Sequence, residues 1–207
     1  MLKNIHTIIF DLGGVIIDLD VEKTIRGFST LSNFSEEKVR EIYATHPVFH
    51  DFEKGLVTDE VFRDTVRGLF NSNGVSDKDL DEAWNAMLLG IPKPKLDLLV
   101  TLRERYRVLI LSNTNSIHVQ VMNNIILPDV AGVKSFDPFV HKAYFSHDLR
   151  MRKPDAEIYQ HVLDDADLRP EETLFLDDNV DNLQGAAKLG IRVKHVTGAR
   201  QVLDLFD

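Results

Sequence analysis

The sequence predicts an α/β fold: a Rossmann-like, doubly wound parallel sheet with an inserted α-helical cap. Three observations predict it. Short, continuous apolar runs bounded by Asp, Ser, Asn or Gly recur along the chain, as strands buried on both faces require. Helical patterns separate most of these runs, so successive strands connect through right-handed crossovers and lie parallel. One stretch, 20–91, breaks the alternation and reads as helices alone.

In chain order, the first strand spans 5–10 and delivers Asp11 to the glycine loop Gly13-Gly14. Within 20–91, Val61, Phe62, Thr65, Val66, Leu69 and Phe70 repeat with helical spacing, as do Leu80, Ala83, Trp84, Met87 and Leu88. Thr58 and Ser76 suit N-caps, and no convincing strand occurs in this segment. The insertion ends near Ile91-Pro92-Lys93-Pro94. The expected division is therefore a core of 1–19 and 92–207 and a helical cap of 20–91. Because the insertion starts just after Asp11, it should sit over the carboxyl ends of the strands, where such sheets bind ligands.

The core then resumes its alternation. A stripe of Leu96, Leu99 and Leu102 leads to a strand at 107–111, and Val121, Met122, Ile125 and Ile126 form a second helical stripe. The stretch 127–142, with Pro128, Gly132 and Pro138, reads as a long loop before a weaker strand at 143–145. A helix with Ile158, Tyr159, Val162 and Leu163 precedes a strand at 173–176. A last helix, with Val180, Leu183, Ala186 and Ala187, closes on Gly190 in a C-cap position ahead of a strand at 191–196.

Composition bounds the function. With 207 residues, 43% of them hydrophobic, the chain buries a sizeable core as one domain, with or without an insertion. A net charge of −9 argues against a nucleic-acid binder, which needs a basic face. A small anion can still bind through a local cluster of Lys and backbone N–H groups. Zero cysteines exclude disulfides and cysteine-ligated zinc. No apolar run reaches the ~18 residues of a membrane span, and no signal peptide is read ahead of the first strand. A cytoplasmic protein with no membrane partner is the expectation.

Four polar clusters carry the chemistry. Asp11, at a strand end in a glycine loop, can attack phosphorus and form an aspartyl-phosphate; the plainer reading is a turn or N-cap aspartate. Ser112 and Asn113 end a strand and can hold phosphate oxygens with their side chains and nearby N–H groups, or simply make a turn. Lys153, before Pro154 at the start of a helix, can neutralise a phosphate and steady a carboxylate, or lie solvated. Asp177 and Asp178 are adjacent carboxylates that repel unless a cation joins them, and Mg²⁺ suits such a site; N-capping is the alternative. Asn182 either orients these groups or lies on the helix surface. His46 and His50 share i,i+4 spacing, but Pro47 interrupts them and no third metal ligand is evident. Phe49 and Phe52 read as cap core, and Asp164-Asp165 as a solvated helix surface.

Taken in order, Phe10-Asp11-Leu12-Gly13-Gly14-Val15, Leu111-Ser112-Asn113-Thr114, Met151-Arg152-Lys153-Pro154 and Phe175-Leu176-Asp177-Asp178-Asn179 resemble the four motifs of the haloacid dehalogenase-like (HAD) hydrolase superfamily. The resemblance covers nearly the whole chain. It is to the branch with a helical cap after the first motif and, through Asn115 and Arg152-Lys153-Pro154, to the α-D-glucose-1-phosphate phosphatase subgroup. It implies a Mg²⁺-dependent phosphatase for small phosphorylated metabolites, sugar phosphates first among them. Asp11 would be the nucleophile. Ser112, Asn113 and Lys153 would hold phosphate. Asp177, Asp178, the Asp11 carboxylate and the Gly13 carbonyl would hold the metal. Two departures stand out. Gly13 occupies the position where most such phosphatases carry a second aspartate as general acid/base, which leaves Asp18, Asp20 or water as substitutes. Arg150 stands where relatives often have glycine. The competing readings are a non-catalytic binding or regulatory protein on the same fold, and a hydrolase acting at carbon.

Overall fold

The computed structural model describes residues 3–198 and 200–206. Five strands, β1 (Thr7–Phe10), β4 (Arg107–Ser112), β5 (Lys142–Phe145), β6 (Thr173–Asp177) and β7 (Arg192–His195), form one sheet in the order β5-β4-β1-β6-β7. All four pairings are parallel. This is the doubly wound sheet the apolar runs predict. β1 is buried along its whole length, as a central strand covered by helices on both faces must be. Phe10 lies in register with Ile110 on one side and Leu176 on the other. The residues that follow, Asp11, Leu111-Ser112 and Asp177, therefore emerge side by side at the carboxyl edge.

The helices flanking the sheet are α6 (Lys93–Arg103), α7 (Ser116–Val121), α8 (Leu127–Ala131), α9 (Ser146–Leu149), α10 (Ala156–Asp165), α11 (Val180–Ala187) and α12 (Gln201–Asp204). Residues 122–126 form a π-helical turn joining α7 to α8. Two apolar clusters cover the faces of the sheet. One gathers Ile8, Phe10, Leu99, Val108 and Ile110; the other gathers Ile9, Leu109, Tyr159, Val162 and Phe175. Alternate residues of one strand point to opposite faces, so each strand feeds both clusters.

Between β1 and α6 lie α1 (Val21–Leu31), α2 (Glu36–Thr45), α3 (Val48–Glu53), α4 (Asp59–Leu69) and α5 (Asp77–Asn85). They start where the sequence supplies caps: Thr58 accepts from the Val61 N–H and Ser76 from the Asp79 N–H. Their apolar faces meet in a third cluster around Phe28, Phe49, Phe52, Phe62 and Trp84, which also takes in Ile117 of α7. Phe49 and Phe52 are buried there as expected, and Phe52 stacks on Phe62 at 4.0 Å. Truncating the central Trp84 to alanine costs about 3–5 kcal/mol by the usual scale for large core aromatics.

The structure differs from the sequence reading in four places. A strand does occur inside 20–91: β3 (Leu88–Gly90) pairs antiparallel with β2 (Asp18–Leu19), joining the two chain crossings into a ribbon. Strands of two and three residues are too short to show a period. The stretch 127–142 is not all loop, because α8 opens it. Pro128 is the second residue of α8, which directly follows the π-helical turn. Pro154 lies before α10 rather than in its first turn, with Asp155 as the capping residue. Lys188 caps α11, and Gly190 follows two residues later with φ +86°. No helix among the described residues is long and apolar enough to cross a membrane.

Candidate active site

Asp11 leaves the end of β1 with its N–H bonded to the Leu176 carbonyl at 2.8 Å, which ties it to the neighbouring strand. Its Oδ1 accepts from the Leu12 N–H at 2.7 Å and faces Lys153 Nζ at 2.8 Å. Among the described residues its Oδ2 has no hydrogen-bond partner. One oxygen is thus held while the other is left available.

Lys153 is almost fully buried. Its ammonium lies 2.7 Å from Asp177 Oδ2 and 3.0 Å from the Leu111 carbonyl, besides Asp11. Three donors therefore have three acceptors. Burial alone would favour the neutral amine, but Asp11 and Asp177 outweigh it and keep the group charged. Asn113 fixes the backbone beneath: its Nδ2 donates to the Lys153 carbonyl and its Oδ1 accepts from the Lys153 N–H, both at 2.9 Å. The Asn113 side chain thereby commits its Oδ1 and one of its two Nδ2 protons to Lys153, leaving one N–H for a phosphate oxygen. Ser112, by contrast, has only a long 3.4 Å contact to the Asn113 carbonyl, which leaves its hydroxyl available.

Asp177 is completely buried at the end of β6. Its Oδ1 accepts from the Asn179 N–H at 2.7 Å, and Asn182 Nδ2 reaches both carboxylate oxygens at 3.1 Å. Asn182 is thus an orienting residue rather than a surface one. Asp178 turns its carboxylate toward Gly14. A Cβ there would sit 2.2 Å from Asp178 Oδ2, and the Gly14 backbone is left-handed at φ +72°. Only glycine permits that approach.

Asp11, Asp177 and Asp178 each offer an oxygen, all within 4.8 Å of one another, and they form the only such cluster among the described residues. His46 and His50 take no part. Three carboxylates against one ammonium leave a formal charge of −2, which a divalent cation balances. Burial and the mutual repulsion of the carboxylates show in the proton affinities of Asp11 and Asp178. Burial pushes the Asp11 carboxyl up to about 7; Lys153 opposes this, while Asp177 and Asp178 add to it. Burial and Asp177 also push Asp178 up. The donor set fits a hard, oxygen-loving cation such as Mg²⁺.

Gly13 lies beside Leu12 on the wall of a cavity of about 160 Å³ between the strand ends and the helical insertion. A Cβ at Gly13 would come within 2.8 Å of Leu19 Cδ1, so Leu19 fills the space a side chain would need. The substitutes read from sequence proximity are already engaged. Asp18 pairs with the buried Lys95 at 2.7 Å, and Asp20 caps α1 through the Glu22 N–H. A larger open depression of about 780 Å³ runs past Asp18, Leu89 and Ile125. Neither Asp11, Asp177, Asp178 nor Lys153 borders it.

Residues with no motif spacing also face the smaller cavity. Tyr43, Glu53, Trp84 and His118 line it, the first three from the insertion and the last from α7. Glu53 pairs with Arg152 at 2.9 Å, and the Ser146 hydroxyl lies 2.6 Å from the Glu53 carbonyl. Arg150 takes a left-handed conformation at φ 56° and caps α9, which accounts for glycine being suited to that position.

This arrangement has counterparts in known proteins. The chain is 31% identical over 191 residues to the D-ribitol-5-phosphate phosphatase of Bacteroides thetaiotaomicron, covering 92% of this chain and 89% of that protein. It is 26% identical to the sesquiterpene phosphatase astK of Aspergillus oryzae, covering 95% and 92%. The solved structure of the HAD family enzyme bt-2542 of Bacteroides thetaiotaomicron, in complex with magnesium and inorganic phosphate, superposes with a TM-score of 0.89 at 38% identity, covering 98% of this chain and all of that one. Residues 5–190 match the family described as haloacid dehalogenase-like hydrolase. With motifs, sheet order and strand-end carboxylates all in agreement over that span, the chain belongs to the haloacid dehalogenase-like hydrolase family.

Proposed function

We propose that the protein is a Mg²⁺-dependent phosphatase of small organophosphates, with sugar phosphates and their reduced polyol counterparts as the substrate class. The observation that carries this reading is the convergence of Asp11, Lys153, Asp177 and Asp178 at one sheet edge, with Asp11 Oδ2 left unpartnered. The relatives named for phosphate-ester hydrolysis, and the neighbour bound to magnesium and phosphate, support it.

In this reading Asp11 Oδ2 attacks phosphorus in line and forms an aspartyl-phosphate, which water then hydrolyses. Lys153 favours the ionised form of Asp11 against burial and the two other carboxylates, and orients it. The Ser112 hydroxyl and loop N–H groups receive the phosphate oxygens, and Asn113 acts by fixing Lys153. Asp177 is locked by Lys153 and Asn182, so Asp178 and Asp11 have the freer carboxylate oxygens for the cation, and the Gly13 carbonyl would complete the set as the family resemblance implies. When bound, Mg²⁺ supplies charge neutralisation for the three carboxylates and the phosphate. No side chain at position 13 can hand a proton to the leaving group, so water in the cavity serves. A lost general acid costs roughly 10²–10⁴ in rate, least for good leaving groups. We read 20–91 as a cap that excludes solvent and selects substrate, and we retain the cytoplasmic setting expected from the sequence.

The test is phosphate release from sugar phosphates, polyol phosphates, acyl phosphates and p-nitrophenyl phosphate, with and without Mg²⁺. Magnesium-dependent release is the expected result. Absence of release from every ester, the aryl phosphate included, would instead favour the non-catalytic reading that Gly13 invites.

A further inference from the structure

The cavity above the proposed phosphate site has an uneven chemistry. Ile17, Leu19, Trp84, Met87, Leu88 and Met122 give it mostly apolar walls. Besides the Tyr43, Ser112 and Thr114 hydroxyls, two acceptors that carry no proton of their own and have no protein donor among the described residues interrupt them. The first is on Glu53. Its Oε2 takes both Arg152 contacts, from Nε at 3.2 Å and from an Nη at 2.9 Å, while its Oε1 has no partner among the described residues.

The second is on His118, and its tautomer follows from a chain of contacts. Asn85 Nδ2 donates to the Asp81 carbonyl at 2.7 Å, which turns Asn85 Oδ1 toward His118 Nδ1 at 2.8 Å. An amide oxygen facing a ring nitrogen calls for a proton on that nitrogen. Nε2 is therefore the bare acceptor, and it has no partner among the described residues. The ring is immobilised by stacking on Trp84 at 4.9 Å and 10°, and by its backbone N–H bond to Asn115 Oδ1 at 3.0 Å. Burial drives the imidazole down to about 3, so it stays neutral at ordinary pH.

We propose that Glu53 Oε1 and His118 Nε2 are specificity-determining acceptors that read the hydroxyl groups of a short, uncharged carbon chain bearing the phosphate. This rests on the phosphatase reading above and deepens it to a hydroxylated chain such as a pentitol. Apolar walls pass the carbon backbone, and fixed acceptors demand O–H donors. A substrate lacking them leaves desolvated acceptors unpaired, which is how such sites discriminate. Size sets the other limit. The cavity, about 160 Å³, is on the scale of a short chain of hydroxylated carbons.

The experiment compares kcat/KM, with Mg²⁺, for D-ribitol 5-phosphate, for pentyl phosphate of equal length without hydroxyls, and for p-nitrophenyl phosphate. The wild-type protein is expected to prefer the ribitol ester over the pentyl ester by at least about tenfold. Glu53→Met and His118→Phe are each expected to lower the ribitol value about 10- to 100-fold and the aryl value less than threefold. Glu53→Gln and His118→Gln, which retain an acceptor, should recover part of the loss. Equal falls on the ribitol and aryl esters would make both residues merely structural and overturn the proposal. So would a wild-type protein indifferent to the hydroxyls, while leaving the phosphatase reading intact. No turnover of any of the three esters by wild type would end both.

Discussion

Asn113 and Lys153 exchange two backbone-to-side-chain hydrogen bonds across 40 residues of sequence, each 2.9 Å long. The amide clamps both polar groups of the lysine main chain, so the ammonium rises from a fixed base toward Asp11. Asn113→Ala removes both bonds. At about 0.5–1.5 kcal/mol each, the expected loss of stability is about 1–3 kcal/mol in a urea titration. Turnover of p-nitrophenyl phosphate should fall more than tenfold, with a smaller change in KM. An unchanged kcat would show that Lys153 needs no such anchor.

Asp11→Asn keeps the size of the side chain and its bond to the Leu12 N–H but removes the attacking carboxylate. The expected outcome is a folded protein whose phosphate release drops by at least about 10³-fold. Because the variant also removes a buried charge that Asp177 and Asp178 repel, its metal-free form should melt no lower than wild type at pH 8. Wild-type-like turnover would remove Asp11 from the role of nucleophile.

Magnesium and pH should act together. Burial, with Asp177 and Asp178 adding to it, pushes the Asp11 carboxyl of the folded protein up to about 7 from its ordinary 3.8. A raised acid contributes stability below its unfolded value and loses it as pH rises through the folded one. The metal-free protein therefore gives up stability between about pH 4 and 7, while the cation needs the ionised carboxylates. At a hundredfold excess over Kd, Mg²⁺ should add about 2.7 kcal/mol, or roughly 5–10 °C in Tm for a chain of this length. The shift should be large at pH 8 and clearly smaller at pH 5.5. Equal shifts in thermal melts at both pH values would contradict a carboxylate-held ion.

Gly14→Ala tests the approach of Asp178. The new methyl would meet Asp178 Oδ2 at 2.2 Å, in a backbone conformation that costs an L-residue about 1–2 kcal/mol. Asp178 must swing aside, so the Mg²⁺ concentration for half-maximal activity should rise more than tenfold. Activity should return in part at saturating metal. A half-maximal concentration equal to wild type would show that Asp178 does not hold the ion.

The sheet and the carboxylate–lysine cluster at its edge were legible because their parts lie at or next to strand ends or a helix start. β1, β4 and β6 are continuous apolar runs, and Asp11, Ser112 and Asp177 lie at or next to their ends. A parallel sheet with strands about 4.8 Å apart brings such ends together without further instruction. The β2–β3 ribbon was not legible, since strands of two or three residues carry no period and Asp18 pairs with a glycine 72 residues away in the chain. Arg150 and Gly13 could be seen as departures, yet their meaning lay in what surrounds them: a left-handed helix cap in one case and Leu19 in the other.

The sequence by itself determined which residues stand at strand ends and helix starts: the carboxylates, the lysine and the hydroxyl that meet at one edge. Only the tertiary structure decided that Asn113 serves Lys153, that Asn182 serves Asp177, and that Glu53 and His118 open onto one cavity. The reason is physical. Backbone periodicity encodes which face of an element is buried, but the partner of a polar side chain depends on distances between elements far apart in the chain, and no local spacing records those.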